Sequence, residues 1–146
     1  MSISNTDLLV LDTNILVHWV RQDLTGVFLK DNYALDKRME RPLFSTISEG
    51  EIRGLVKTWK WGDAKKKALD ELLSELVRLE AGLSEVVLAY ADLYFEDQRQ
   101  GKNTGQNDLW IAASARATNS VLMTCDDDFL WMSPSLVRVE HIPQVK

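Results

Sequence analysis

Five short segments that read as strands, set between stretches of helical spacing, decide what this chain folds into. The segments fall at 7–12, 43–46, 77–79, 121–124 and 137–142. The stretches 13–20, 48–59, 63–75, 85–100 and 107–119 read as helices, and 24–39 as a weakly patterned one. Ile15, Leu16, Trp19 and Val20 share a face of the first, and Leu69, Leu72, Leu73 and Leu76 recur at helical spacing in another. Strands that alternate with helices are joined by crossovers and form a mostly parallel sheet sandwiched between helical layers. The length of 146 residues suits one domain, so residues 1–146 read as a single α/β domain.

Local signals set the boundaries. Arg41–Pro42 closes 24–39, because the residue before proline avoids the helical region. Trp61–Gly62 stops 48–59, and Asp63, Ser84 and Asn107 stand where caps open the next helices. The helix at 85–100 ends before Gly101. Phe129 and Leu130 read as an anchor into the core.

Four acids stand at these junctions: Asp12 after the first run, Glu51 after Ser45-Thr46-Ile47-Ser48, Asp108 at the head of Asn107-Asp108-Leu109-Trp110, and Asp126 after Val121-Leu122-Met123-Thr124. Ligands of open α/β sheets bind outside the carboxyl ends of the strands. Carboxylates gathered in one such crevice repel unless a cation or a proton lies between them. Each acid also has a plainer role. Asp12 suits a helix N-cap, with Asn14 two residues on. Ser48-Glu49-Gly50-Glu51 spells a capping box, and Glu49 competes with Glu51, though a helix aims the two apart. Asp108 suits a helix dipole, and Asp126, Asp127 and Asp128 suit a solvated turn, with Thr124 placed to bond them.

The net charge of −5 disfavours nucleic acid as a partner of the whole surface, but four metal-binding acids would be neutralised locally. Arg53, Lys57, Lys60, Lys65, Lys66 and Lys67 are bunched, as a solvated helix face or as a landing strip for RNA phosphates or an acidic segment. One cysteine, Cys125, excludes an internal disulfide and a zinc spacing. The first residues lack signal-peptide character and no run approaches membrane-spanning length, so a cytoplasmic protein is expected.

Leu11-Asp12-Thr13-Asn14-Ile15-Leu16, Ser45-Thr46-Ile47-Ser48 with Glu51-Ile52 and Gly54, Gly105-Gln106-Asn107-Asp108-Leu109-Trp110-Ile111-Ala112-Ala113, and Leu122-Met123-Thr124-Cys125-Asp126 with Asp128-Phe129 follow one another through nearly the whole chain. In this order they resemble the PIN-domain ribonucleases, and among them the VapC-type toxins of type II toxin–antitoxin pairs. The resemblance implies a PIN-like three-layer fold and an acidic quartet on Asp12, Glu51, Asp108 and Asp126. It implies Asn14 and Thr124 in support, and magnesium or manganese as cofactor. It further implies an RNA substrate, a homodimer and a small antitoxin partner. Gly50 before Glu51 departs from the pattern, and the acids after Asp126 admit a shifted register with Asp128 in the site.

The expected activity is metal-dependent endoribonuclease chemistry, with Asp12, Asp108 and Asp126 on the ion and Glu51 completing the site or orienting water. The alternative is a non-catalytic binding protein of the same fold that uses its acids as caps. A receiver domain lacks its paired acid and late lysine here, and a haloacid-dehalogenase phosphatase needs an aspartate where Asn14 stands. Val27, Phe28, Leu29, Trp59 and Trp61 are expected to form an apolar groove near 24–30 and 48–61. An antitoxin segment seated there would place an Arg or Lys among the acids.

Overall fold

The computed structural model describes residues 3–146. Its sheet has five strands: β1 (Leu9–Leu11), β2 (Leu43–Ser45), β3 (Val77–Leu79), β4 (Val121–Thr124) and β5 (Arg138–His141). Their order is β3-β2-β1-β4-β5, and every pairing is parallel. Val10 sits opposite both Leu43 and Leu122, so β1 is the central strand. Six helices connect and cover the strands: α1 (Thr13–Arg21), α2 (Leu24–Tyr33), α3 (Thr46–Thr58), α4 (Asp63–Glu75), α5 (Ser84–Gln100) and α6 (Gln106–Ala117). Among the described residues, no helix is long and apolar enough to cross a membrane.

Strand alternation sorts the apolar residues into two cores. Leu9, Leu11, Phe44, Val121 and Met123 point to one face, under Ile15, Leu16, Leu29, Ile52, Leu69 and Leu73 of α1 to α4. Val10, Leu43 and Leu122 point to the other, under Val86, Leu93, Leu109, Ile111 and Ala112 of α5 and α6. The small residues of α6, with Ala112, Ala113 and Ala115 wholly buried, let it lie close to the sheet. Gly26 of α2 packs against the carbonyl of His18, and a side chain there would strike that backbone.

The chain runs outward from β1 through β2 to β3, then crosses back to β4 on the other side of β1. The switch point therefore lies between β1 and β4, the place where open parallel sheets bind ligands. Asp12 follows β1 and Asp126 follows β4 there.

Several boundaries differ from expectation. Helix 24–39 ends at Tyr33, where Ala34 turns left-handed (φ 46°) and a short 3-10 turn, Leu35–Lys37, dips Leu35 into the core. The chain reverses to bury Leu35 before Pro42 can act. The third helix opens at Thr46, because the Ser45 hydroxyl accepts from the Ile47 N–H; Ser48 lies inside the helix and caps nothing. Gly62, Leu83 and Gly105 occupy the N-cap positions expected for Asp63, Ser84 and Asn107, shifts of a residue or two. Phe129 is fully buried, but Leu130 is exposed.

Candidate active site

The carboxyl ends of β1 and β4 and the heads of α1, α3 and α6 surround one cleft of about 340 Å³. Asp12, Thr13, Asn14, Glu51, Asp108 and Asp126 line it. The cleft continues between one face of α1 (Asn14, Val17, His18, Arg21) and one face of α3 (Glu51, Leu55, Trp59). These spacings of three, four and eight residues keep each set on a single helix face.

Asp12 is the most buried of the four acids in the cleft, at 4% exposure. Its Oδ1 accepts from the Thr13 N–H at 2.7 Å, so it caps α1. Its Oδ2 accepts from the Thr124 hydroxyl at 2.6 Å and from Asn14 Nδ2 at 3.3 Å. Thr124 Oγ1 in turn accepts from the Asp126 N–H at 2.9 Å, and Asn14 Oδ1 accepts from the Cys125 N–H at 3.1 Å. Thr124 and Asn14 thus tie the end of β4 to the carboxylate that ends β1.

Glu51 accepts from the Thr13 hydroxyl at 2.6 Å on one oxygen and from Asn107 Nδ2 at 3.3 Å on the other. It makes no capping box. Glu49 turns the other way, toward Arg53 and Arg78. Asp126 Oδ1 accepts from the Asp128 N–H and caps the 3-10 turn Asp127–Met132. Asp126, Asp127 and Asp128 each bring one oxygen within 4.8 Å of the others, but Asp127 and Asp128 are exposed and do not line the cleft.

Asp108 differs from the rest. It is half-buried in the first turn of α6, and no donor among the described residues reaches its carboxylate. Burial, then the charges of Asp12, Asp126, Glu51 and Asp128, pushes its carboxyl up to about 7. Burial likewise raises Asp12 to about 6, against the lowering effect of its Thr124 and Thr13 hydrogen bonds and with further raising by Glu51 and Asp126. Cys125 does not line the cleft, and burial pushes its thiol up to about 11.

The sequence did not mark three contributors. Thr13 and Asn107 orient Glu51, although each is the chain neighbour of a marked acid. Asp97, at 1% exposure, accepts from the Thr104 N–H at 2.9 Å and holds the loop that delivers α6. In sequence it is one more charge on a charged helix.

The expected partner groove does not form as one surface. Trp61 and Leu29 are buried, Phe28 is half-buried, and Val27 and Trp59 are exposed. Two separate clefts lie there, one beside α2 lined by Trp19, Val27, Leu29 and Lys30, and one between α3 and α4 lined by Arg53, Lys57, Lys60 and Lys66. The most exposed apolar helix residues, Leu88 and Phe95 on α5, lie elsewhere.

Over 116 residues the chain is 28% identical to Ribonuclease VapC1 of Haemophilus influenzae strain R2866, a stretch covering 79% of this chain and 84% of that protein. The fold superposes on a chain of VapBC2 from Rickettsia felis, crystallised with a DNA fragment of its promoter, with a TM-score of 0.77 and 24% identity, covering 92% of this chain and 98% of that one. A chain of VapBC-1 from nontypeable Haemophilus influenzae gives a TM-score of 0.72 at 22% identity, over 92% of this chain and 97% of that one. Residues 9–132, from the strand that leads to Asp12 through the turn after Asp126, match the model of the PIN domain, and the chain belongs to that family.

Proposed function

We propose that this chain is a divalent-metal-dependent endoribonuclease and the toxin of a toxin–antitoxin pair. The observation that carries the reading is the state of Asp108: a half-buried carboxylate without a donor among the described residues, faced by the charges of Asp12, Glu51 and Asp126. Capping accounts for Asp12 and Asp126 but not for Glu51 or Asp108. That difference favours the enzyme over a binding protein that uses its acids as caps.

The donor set fits a hard cation. All four side chains offer oxygen, and the one imidazole lining the cleft, that of His18, is engaged by Asp23 and Gln144, which suits magnesium or manganese. Asp12, Asp108 and Asp126 would hold the ion, and Glu51 would complete the set or orient water. Bound there, the ion would make hydroxide available near neutral pH and polarise a phosphodiester oxygen. Thr124 and Asn14 fix the direction of the Asp12 carboxylate. Thr13 and Asn107 hold both oxygens of Glu51, which is thereby aimed to accept a proton from attacking water. Asp128 stands outside the cleft in this reading.

The likeness to a protein called Ribonuclease VapC1 supports RNA as the substrate, and the likeness to chains of VapBC complexes supports a small antitoxin partner. A cationic side chain of that partner, placed among the acids, would compete with the metal. Pairing with a second copy of this chain belongs to the same proposal, and the exposed apolar residues of α5 support it. The setting is the cytoplasm.

Digestion of total RNA tests the reading. The wild type should cleave with manganese and not in its absence, and Asp12→Asn should lose about a hundredfold or more of that activity. Cleavage that ignores both the metal and the substitution would overturn it.

A further inference from the structure

We infer that the cleft does not end at its acids but continues as a track for single-stranded RNA, with Trp59 as a base-stacking platform and Arg21 as a phosphate anchor. The inference rests on the ribonuclease reading and adds to it the form of the substrate and the residues that grip it.

The acids occupy the head of the cleft; its far wall is built from Arg21 at the end of α1 and Trp59 at the end of α3. Trp59 stands eight residues beyond Glu51, about 12 Å along the helix axis. The Arg21 guanidinium lies 4.4 Å from the centre of the Trp59 ring. Trp59 nonetheless remains 42% exposed, an unusual state for a large aromatic residue in a cleft. Arg21 enters no ion pair among the described residues; its charge reaches Asp23 only at longer range.

From Trp59 the surface turns onto a second cleft, of about 540 Å³, between α3 and α4. Trp61 is the link: its ring centre is 6.1 Å from that of Trp59, and Lys65 Nζ lies 5.3 Å from the same ring centre. Lys57, Lys60 and Lys66 line this cleft and make no ion pair among the described residues. Arg53 does not count toward the track, because Glu49 and Asp70 hold it.

An exposed aromatic ring flanked by unpaired cations is the chemistry of single-strand binding: bases stack on the ring and phosphates meet the cations. A duplex would keep its bases from Trp59. An acidic peptide would satisfy the lysines but would leave the ring unmatched and would be repelled by the acids at the head of the cleft. A nucleic-acid strand meets the same acids only where the proposed metal neutralises them. The chain's charge of −5 makes the local positive surface the more telling.

The test uses the full chain carrying Asp12→Asn, so that RNA is not consumed, and a fluorescein-labelled single-stranded RNA oligomer followed by anisotropy. Trp59→Ala should weaken binding about five- to tenfold or more, and Trp59→Phe should recover most of it. Arg21→Ala and Lys57→Ala should each reduce the slope of log affinity against log salt by about 0.7. Circular dichroism melting checks that each variant is folded; Arg21 and Lys57 are exposed, so their substitution leaves the cores intact. Unchanged affinity in Trp59→Ala and Arg21→Ala, beside manganese-dependent cleavage by the wild type, would overturn the track and leave the ribonuclease reading standing. No binding and no cleavage of any RNA by the wild type would overturn both. Tighter binding of a Glu- and Trp-rich peptide than of RNA, lost on the same substitutions, would make this face a protein-docking site and overturn the proposal.

Discussion

Asp108 is the residue on which the site turns. Its carboxyl, held up to about 7 by burial and by neighbouring acids, and that of Asp12, held up to about 6 chiefly by burial, both lie above the ordinary value of 3.8. As pH rises, the unfolded chain therefore releases these protons first. The stability tied to them is full at acid pH and is lost as pH passes through the folded values. For the deeply buried Asp12 the loss is on the order of 3 kcal/mol; Asp108, more exposed, contributes a smaller share. The metal-free chain should thus melt lower at about pH 8 than at about pH 5 in calorimetry. Asp108→Asn should shrink that difference, raise the metal-free melting temperature at the higher pH, and weaken manganese binding. A metal-free melting temperature that climbs between the two pH values in wild type would contradict this.

Direction on the helix separates Glu51 from Glu49. One bonds Thr13 and Asn107 across the cleft, and the other pairs with Arg53 and Arg78 on the outer face. Glu51→Gln and Asp126→Asn should abolish RNA cleavage, whereas Glu49→Gln and Asp127→Asn should retain most of it. Loss on Glu49→Gln with activity kept in Glu51→Gln would reverse the assignment. Helix period alone showed in sequence that the two glutamates diverge. The resemblance implies Glu51 as the one that faces the acids, and the cap of α3 by Ser45, not Ser48, removes the capping box that spoke against it.

Among the elements, the loop between α5 and α6 depends on one buried group. Asp97 accepts from the Thr104 N–H, and Trp131 Nε1 donates to the Thr104 hydroxyl, so α6 starts from a fixed point. Asp97→Ala leaves a backbone donor without its partner, at a cost of about 1–3 kcal/mol. It should also lower manganese affinity, because Asp108 follows on the same helix start. Equal affinity with lowered stability would make Asp97 a fold residue alone. The strand runs and most helices were legible because their apolar spacing is strong, as at Leu69, Leu72 and Leu73. The left-handed turn at Ala34 was not, since nothing in the local sequence tells that Leu35 is to be buried. Asp97 was not either, because its partner is set by loop geometry.

At the scale of the whole molecule, the parallel sheet places β1 and β4 side by side and so brings acids 114 residues apart, Asp12 and Asp126, to one crevice. Apolar surface left outside the two cores gathers on α5, where Leu88 is 67% and Phe95 63% exposed. By residue type alone, the aromatic residues point to the surfaces at 24–30 and 48–61. Residue type does not tell which rings fill the core, and Trp61 does while Trp59 does not. Light scattering should give a homodimer for the wild type and a monomer for Phe95→Lys; a wild-type monomer at the same concentration would remove the second copy from the proposal.

Diffraction from manganese-soaked crystals, recorded where manganese scatters anomalously, reveals where these acids hold a cation. A peak bounded by Asp12, Asp108 and Asp126, with Glu51 beside it, is the expected result. A peak confined to the exposed Asp126–Asp127–Asp128 corner, or no peak while Asp12 and Asp126 keep only their capping hydrogen bonds, would contradict it.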